Sequence, residues 1–323
     1  MKMSQEQKTA VLFPGQGSQE KDMGRDLAEN STEIMDLWKK AEKISGLPLR
    51  EIYWDTDEEA MAETRHLQPA MTVVNLSLWI AVRKRLAPFC LAGHSLGEYS
   101  ALAVAGVLEL EDVMSLVSLR GRLMAEADPD GQGAMTAVLK LALPQVEEIA
   151  LKARQRTGRT IVLANYNTPV QYVLSGDKEA IEAAEILSKE AGGRGRRLAV
   201  SGAFHSPLMA EAAAELAGQM DRLRWQRPTM PIYFNVTAAT EDNPLEIQKI
   251  MARQMTSGVR WMWIVEKQWQ DGARHFIELG PKGVLNKMLK SILEGAAQPW
   301  SSLSLASKAE TREFIWAAAD EAK

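Results

Sequence analysis

The sequence predicts an α/β protein. A larger, α/β-hydrolase-like domain with a central, mainly parallel sheet is expected to carry an inserted, small ferredoxin-like domain. Short apolar runs alternate with helical periodicity in the first 128 residues, an order typical of a parallel sheet wrapped by helices. Residues 130–198 follow a different order of elements. A Gly-x-Ser-x-Gly motif stands between an apolar run and a helical pattern, where it can form a strand-to-helix turn.

The elements of the larger domain are predicted in chain order. Residues 9–13 (TAVLF) form a short apolar run that a Pro-Gly pair ends, which indicates a buried strand. A second strand is predicted at 88–93 (PFCLAG). Helices are predicted at 31–44, 70–86, 95–105, 110–127 and 300–323, and the last of these segments is alanine-rich near its end. We therefore assign 1–128 and 200–323 to this domain.

The inserted domain is predicted from a β-α-β-β-α-β order that begins after the turn-forming run ADPDGQG (127–133). Strands are expected at 134–139, 160–165, 170–176 and 195–200, with helices at 144–156 and 177–191. This is the order of the split βαβ unit of ferredoxin-like domains. We assign the inserted domain to 130–198.

Composition excludes several classes of function. A net charge of −4 argues against a protein that coats nucleic acid. The longest apolar stretch, 71–82, is too short to span a bilayer, and the first residues lack the apolar core of a secretory signal. The single cysteine, Cys90, excludes an internal disulfide framework, which fits the cytoplasm. The four histidines stand far apart, without ligand spacing, so no metal is expected.

Ser95 is the candidate nucleophile. In GHSLG (93–97) the two glycines leave room for a serine on a sharp turn, where amides at the start of the next helix face a developing oxyanion. Short Gly/Ser patterns also occur by chance, so the motif alone leaves catalysis and a plain loop equally open.

His205 is the best candidate for the base that a serine nucleophile needs. It follows the inserted domain and precedes a helix predicted from Ser206, and such a domain junction suits a cleft. His94 adjoins the serine, but neighbouring side chains on such a turn diverge. His66 lies in a polar stretch and His275 in a strand pattern, so these three histidines are assigned packing or surface positions.

The segment LRGRLM (119–124) allows two interpretations. Arg120 and Arg122 can both lie on an exposed helix face, as most arginines do. If Arg120 instead faces the nucleophile, its guanidinium can bind a carboxylate at two points. The site would then prefer an acyl group that carries a free carboxylate.

Five blocks together resemble, in order, the malonyl-CoA:acyl carrier protein transacylases of type II fatty-acid synthesis, over residues 9 to about 290. The blocks are VLFPGQGSQ (11–19), GHSLGEYSAL (93–102), RGRLM (120–124), AFHSPLM (203–209) and ELGP (278–281). The resemblance implies ping-pong transfer of malonyl from malonyl-CoA to the phosphopantetheine thiol of acyl carrier protein, with no metal or redox cofactor.

The resemblance also implies the catalytic roles. Ser95 carries the malonyl ester, His205 is the general base and Arg120 binds the malonyl carboxylate. In the family a backbone carbonyl near a Pro-Val-Gln-Trp segment orients the histidine. This chain has GVRW at 258–261, with Arg260 where many relatives have glutamine; its side chain is expected to be solvated or to touch CoA phosphates.

The remaining site residues come from the same resemblance. The backbone N–H groups of Gln16 and Leu96 are implied to form the oxyanion hole. Met124 and Phe204 are implied to line the acyl pocket, and the bulk of the phenylalanine leaves little room for an α-methyl branch. The tryptophans of 261–269 are expected to serve packing.

Alternatives remain open at this stage. The chain could be a free-standing acyltransferase of a polyketide synthase or malonate decarboxylase system, or a serine thioesterase that uses the same elbow and base. Its expected partners are malonyl-CoA and an acidic acyl carrier protein. Basic runs at 152–159 and 193–197 either dock that carrier or form a solvated face. A monomer is expected.

Overall fold

The computed structural model describes residues 8–56 and 58–320, so the expectations for the first seven and the last three residues lie outside it. The strands are β1 (Lys8–Phe13), β2 (Cys90–Gly93), β3 (Gly133–Leu139), β4 (Ile161–Thr168), β5 (Gln171–Asp177), β6 (Arg194–Arg197), β7 (Ile232–Tyr233), β8 (Ala273–Leu279) and β9 (Ser301–Leu305).

The helices surround these strands. They are α1 (Arg25–Ala28), α2 (Thr32–Ser45), α3 (Glu58–Ala62), α4 (Thr64–Val82), α5 (Gly97–Val104), α6 (Leu110–Glu126), α7 (Leu143–Thr157), α8 (Lys178–Glu190), α9 (Ala210–Met220), α10 (Pro244–Ala252), α11 (Trp261–Gln270), α12 (Val284–Ile292) and α13 (Lys308–Asp320). A π-helical turn covers Glu51–Asp55, and short 3-10 turns cover Pro207–Met209, Gln254–Thr256 and Pro281–Gly283.

The larger sheet is parallel throughout, in the order β7-β2-β1-β8-β9. Residues 10–13 of β1 and all of β2 are apolar or glycine and buried, as expected of a sheet covered on both faces. Phe13 pairs with Gly93, so β1 and β2 end side by side. The prediction of an α/β fold with a central parallel sheet is confirmed.

A separate antiparallel sheet has the order β4-β5-β3-β6. Helices α7 and α8 pack against it and against each other. Its strands lie between residues 133 and 197, within the 130–198 interval assigned to the inserted domain. A short parallel bridge between Asn165 and Val259 joins this sheet to the segment before α11.

The C-terminal prediction was partly wrong. Residues 300–323 were expected to be helical, but Ser301–Leu305 form β9 and pair in parallel with β8. The reason is the alternating Ser-Leu-Ser-Leu pattern, whose period of two fits a strand. Helix α13 begins only at Lys308.

Helix α4 forms the centre of the larger unit. Most of its residues are buried, because it packs against α2, α5 and α6 at once. None of the helices that the structure describes combines the length and the apolar character needed to cross a membrane. The tryptophans of α11 divide between core and surface: Trp261 is fully buried, whereas Trp263 packs against Tyr166 at 4.8 Å between ring centroids.

Candidate active site

The candidate site lies at the carboxyl edge of the parallel sheet, where ligand sites of open α/β sheets form. Gln16 follows β1, Ser95 follows β2 and Asn235 follows β7. Because these strands are neighbours and run in parallel, the loops that leave them converge.

Ser95 occupies the strained turn that the motif predicts. Its φ angle is 51°, in the left-handed region that non-glycine residues rarely adopt. A Cβ atom on residue 97 would lie 2.0 Å from the carbonyl oxygen of Phe13, and one on residue 93 would lie 1.9 Å from the carbonyl carbon of residue 97. Both glycines of the motif are therefore required by the close approach of β1, β2 and α5.

His205 meets this serine. Its Nε2 lies 2.7 Å from Ser95 Oγ, and its Nδ1 lies 3.0 Å from the carbonyl oxygens of Gln254 and Ser257. Carbonyl oxygens only accept, so Nδ1 carries the proton and Nε2 is free to accept the serine proton. The orienting carbonyls precede 258–261, the segment beside which the resemblance places them.

The environment of His205 keeps the imidazole neutral. Burial, and after it the nearby charge of Arg120, lowers the pKa of His205 from 6.5 to about 3. The carbonyls of Gln254 and Ser257 act in the opposite direction. An unprotonated imidazole beside a serine hydroxyl is the state that a general base requires.

Arg120 lies on the buried face of α6 with no exposed surface, and Arg122 lies on the exposed face, paired with Glu126 and Glu215. The Nη2 of Arg120 donates to Ser95 Oγ at 3.1 Å and its Nη1 donates to Gln68 Oε1 at 2.6 Å. Both partners are neutral, and the Nε of Arg120 has no partner among the described residues. Burial lowers the pKa of Arg120, and the charge of the buried Glu98 acts in the opposite direction.

A cavity of about 160 Å³ joins these groups. It is lined by all seven sequence-predicted site residues, Gln16, Ser95, Leu96, Arg120, Met124, Phe204 and His205. Polar side chains of the small sheet, Asn165 and Asn167, complete one wall, and α12 contributes apolar residues. The cavity thus lies where the two sheets meet.

Four residues that shape the site were not predicted. Gln68 binds Arg120 and also donates to the Met124 sulfur at 3.1 Å. Asn235 accepts the Ser95 N–H at 2.7 Å, Asn167 bonds His94, and Glu98 accepts from Asn235 and Gln254. Only Glu98 belongs to a quoted motif block; the others lie in segments without a motif.

The other histidines are not positioned to act as the base. His94 packs edge-on against Trp261, with its Nε2 2.9 Å from Asn167 Oδ1. His66 bonds the Ala60 carbonyl and Glu63, and His275 contacts Ser301.

The Arg260 side chain is exposed, and its guanidinium lies 6.0 Å from the Trp263 ring centroid. Its backbone N–H donates to the Asn235 carbonyl, and Arg260 is not among the residues that line the cavity. An exposed guanidinium fits both expectations for Arg260, a solvated side chain and a contact with CoA phosphates.

Comparisons with known proteins show which family this chain resembles. The acyl transferase domain family matches residues 11–315. A malonyl CoA-acyl carrier protein transacylase of Haemophilus influenzae is 38% identical over 312 residues, which cover 95% of this chain and 99% of the relative. An acyl carrier protein S-malonyltransferase structure from Vibrio cholerae aligns with a TM-score of 0.89 and 35% identity, over 95% of this chain and 99% of that one.

A further structure holds a type II polyketide synthase acyl-carrier protein in complex with its malonyl-transacylase. This chain aligns with it at a TM-score of 0.90 and 33% identity, over 96% of its own length and 99% of the other. The resemblance seen in the five sequence blocks thus extends over nearly the whole chain. The chain belongs to the malonyl-CoA:acyl carrier protein transacylase family.

Proposed function

We propose that this protein transfers the malonyl group from malonyl-CoA to the phosphopantetheine thiol of acyl carrier protein and so supplies fatty-acid synthesis. The observation that carries this proposal is Arg120, a fully buried cation without an ion-pair partner among the described residues, 3.1 Å from the candidate nucleophile. A buried guanidinium is costly unless it is paired, so the site favours a substrate that brings a carboxylate.

The transfer proceeds in two half-reactions. His205 Nε2 takes the proton of Ser95 Oγ as the oxygen attacks the thioester carbon of malonyl-CoA. The tetrahedral intermediate collapses, the C–S bond breaks, and the imidazolium returns the proton to the leaving thiolate of CoA. The carrier thiol then gives its proton to His205 and attacks the ester carbon of malonyl-Ser95. The C–O bond to the serine breaks, and the imidazolium returns the proton to Ser95 Oγ.

The oxyanion of each intermediate is assigned to the backbone N–H groups of Gln16 and Leu96. A Cβ atom on residue 15 would lie 2.6 Å from the His94 carbonyl oxygen, so the loop after β1 lies in direct contact with the turn that carries Ser95. No described acceptor takes the N–H of either residue. Such preorganised donors typically contribute about 10²- to 10³-fold to the rate.

Met124 and Phe204 are assigned to the acyl pocket. Both are buried, and both line the cavity beside Arg120. Met124 follows Arg120 by one helical turn, so the two side chains lie on the same face of α6. A wall of this bulk leaves little room for an α-methyl branch on the acyl group.

The carrier is proposed to approach beside β6. Arg194 and Arg196 are exposed on this edge strand, and Leu198 and Val200, which follow directly, line the cavity. Arg197 pairs bidentately with Glu185, so it is left out of the docking surface. An acidic carrier is attracted to such an edge.

The finer features predicted from the sequence are retained as proposals. They are a ferredoxin-like small domain at 130–198, a hydrolase-like larger one at 1–128 and 200–323, a monomer, a cytoplasmic location and chemistry without a metal or redox cofactor. The order β4-β5-β3-β6, with both helices packed on the sheet, supports the first of them. Proton transfer by His205 and stabilisation of the oxyanion by the backbone N–H groups of Gln16 and Leu96 account for thioester exchange without such a cofactor.

Labelled malonyl-CoA and acetyl-CoA, offered separately, test the proposal. Ser95→Ala is expected to form no acyl-enzyme with either. Arg120→Ala is expected to load malonyl weakly and acetyl relatively better, because the malonyl carboxylate loses its partner. Arg122→Ala, an exposed arginine on the same helix, is the control and should load like the wild type. Full malonyl preference in Arg120→Ala would contradict the assignment.

The alternatives give different results in the same assay. A thioesterase would hydrolyse malonyl-CoA rapidly without a carrier, and it would have no use for a buried cation beside its nucleophile. An acyltransferase that serves a polyketide synthase or malonate decarboxylase would prefer the carrier of that system in a competition between carriers.

A further inference from the structure

Glu98 lies on the first turn of α5, directly behind the nucleophile, and is fully buried. Its Oε1 accepts from the Asn235 backbone N–H and its Oε2 accepts from Gln254 Nε2, both at 2.6 Å. No hydrogen bond of the described chain joins this carboxylate to the serine hydroxyl or to the imidazole. The mechanism above therefore gives Glu98 no chemical step.

Asn235, the first partner, holds the nucleophile turn on both sides of His94. Its Oδ1 accepts the Ser95 N–H at 2.7 Å, and its Nδ2 donates to the Gly93 carbonyl at 2.7 Å. The Glu98 carboxylate holds the backbone of Asn235 in place. It thereby positions the Asn235 side chain, which is hydrogen-bonded to the backbone of Gly93 and Ser95.

Gln254, the second partner, touches both members of the catalytic pair. Its Nε2 also donates to the Ser95 carbonyl at 2.9 Å, and its own carbonyl accepts from His205 Nδ1 at 3.0 Å. Glu98 thus anchors a residue that contacts the backbone of the nucleophile and also orients the base.

We propose that Glu98 is a positioning residue that sets the Ser95–His205 geometry by holding Asn235 and Gln254 at the same time. The inference rests on the proposed function. The physical need is the φ of 51° at Ser95, since a non-glycine residue in that region is strained and persists only where its surroundings fix it.

The chemistry of the side chain supports this role. Both donors need an acceptor, and a carboxylate offers one on each oxygen, whereas a carboxamide offers only one. Burial raises the pKa of Glu98 to about 7, against the opposing effects of Gln254, Asn235 and the Arg120 charge. Replacing buried charges by well-packed neutral groups is often neutral or stabilising, so stability alone does not explain a buried carboxylate here.

Glu98→Gln is the test. In this variant the new amide N–H₂ faces a donor, and Gln254, whose Oε1 has no partner among the described residues, can satisfy it by turning its amide over and releasing the Ser95 carbonyl. We expect kcat for acyl-enzyme formation to fall about 10- to 100-fold, as displacement of a reacting group does. KM for malonyl-CoA should stay nearly constant, because the cavity and Arg120 are intact.

A second readout is independent of malonyl. Phenylmethanesulfonyl fluoride modifies an activated serine, and its rate of reaction with Ser95 should fall by the same factor. Glu42→Gln is the matched control. Glu42 lies on α2, is largely buried and forms a bidentate pair with Arg50. It does not line the cavity. We expect both rates to be unchanged in this control.

Three outcomes overturn the inference: unchanged kcat and labelling in Glu98→Gln, a rise in KM alone, or an equal loss in Glu42→Gln. If Glu98→Gln does not fold, Gln254→Leu replaces it, since it keeps the carbonyl for His205 but removes the link that runs from the Glu98 carboxylate through Gln254 to the Ser95 carbonyl. Unchanged kcat in that variant also overturns the inference. A wild type that labels normally but transfers no malonyl contradicts the proposed function instead.

Discussion

At the scale of single residues, the site depends on two buried side chains, an imidazole whose pKa is lowered and a guanidinium that has no carboxylate partner in the part of the chain that the structure describes. His205 is held neutral by burial and by the charge of Arg120, and Arg120 is held without a carboxylate partner among the described residues. Each state suits one chemical role, since the neutral imidazole accepts a proton and the unpaired guanidinium accepts a substrate carboxylate.

The protonation state of His205 can be measured directly. Because the folded-state pKa lies below the usual 6.5, the neutral form persists as the pH falls through 6. In ¹⁵N-labelled protein, the His205 resonances should report a neutral ring with the proton on Nδ1 from pH 8 down to about pH 5. Loss of these signals in His205→Ala assigns them. An imidazolium at pH 6 would contradict the prediction.

Much of the site at this scale follows from the sequence, and the limits have physical reasons. For Ser95 and Arg120 the motif spacing left two interpretations open, and the resemblance of the five blocks to a known family assigned their roles. Asn235 and Gln68 could not be found in this way, because each acts through a contact between distant parts of the chain. Nothing in the sequence around them marks such a contact.

At the scale of elements, the site is built by strands that end together. The ends of β1 and β2 and the start of α5 approach so closely that only glycine fits at two positions. The order of these elements was predictable from apolar runs and turn residues. The strand β9 was missed, since a helix-forming tail follows it directly and a five-residue alternation is a weak signal.

Gly97→Ala tests this close approach. The added methyl would meet the Phe13 carbonyl oxygen at 2.0 Å, so β1 or α5 must shift. We expect the free energy of unfolding to fall by about 3 kcal/mol or more. Gly218→Ala is the matched control: nothing lies within 4 Å of its added methyl, and alanine favours the helix α9. Urea denaturation of both variants provides the comparison.

The exposed arginines of β6 provide the test for the carrier. Replacing Arg194 and Arg196 together by alanine should raise KM for acyl carrier protein several-fold, because the proposed docking edge loses its positive charge. KM for malonyl-CoA should stay unchanged, because neither arginine lines the cavity. Lys39→Ala with Lys43→Ala on α2 makes the same change in net charge elsewhere. If both double variants behave alike, the effect belongs to overall charge and β6 is not the docking edge.

At the scale of the whole molecule, the two sheets share one apolar interior. Buried residues of the small sheet, among them Met135 and Val173, belong to the same core cluster as Phe13 and Leu96 of the larger unit. The order of elements predicted a separate unit at 130–198, but it gave no sign of this shared core, because packing between distant segments leaves no periodic pattern.

Unfolding should therefore be cooperative. We expect a single heat-absorption peak in calorimetry, since melting the small sheet alone would expose core residues of the larger unit. Agreement between the calorimetric and van't Hoff enthalpies would support this expectation. Two separate peaks would mean that the inserted domain is independently stable.

Between turnovers, the guanidinium of Arg120 remains buried without an ion pair from the described residues. Occupancy by a carboxylate relieves that cost, so free malonate should protect the resting enzyme against heat, by about 2.7 kcal/mol at a hundred times its dissociation constant, whereas the uncharged analogue malonamide should not. By the same argument, the malonylated protein is expected to withstand heat better than the free enzyme.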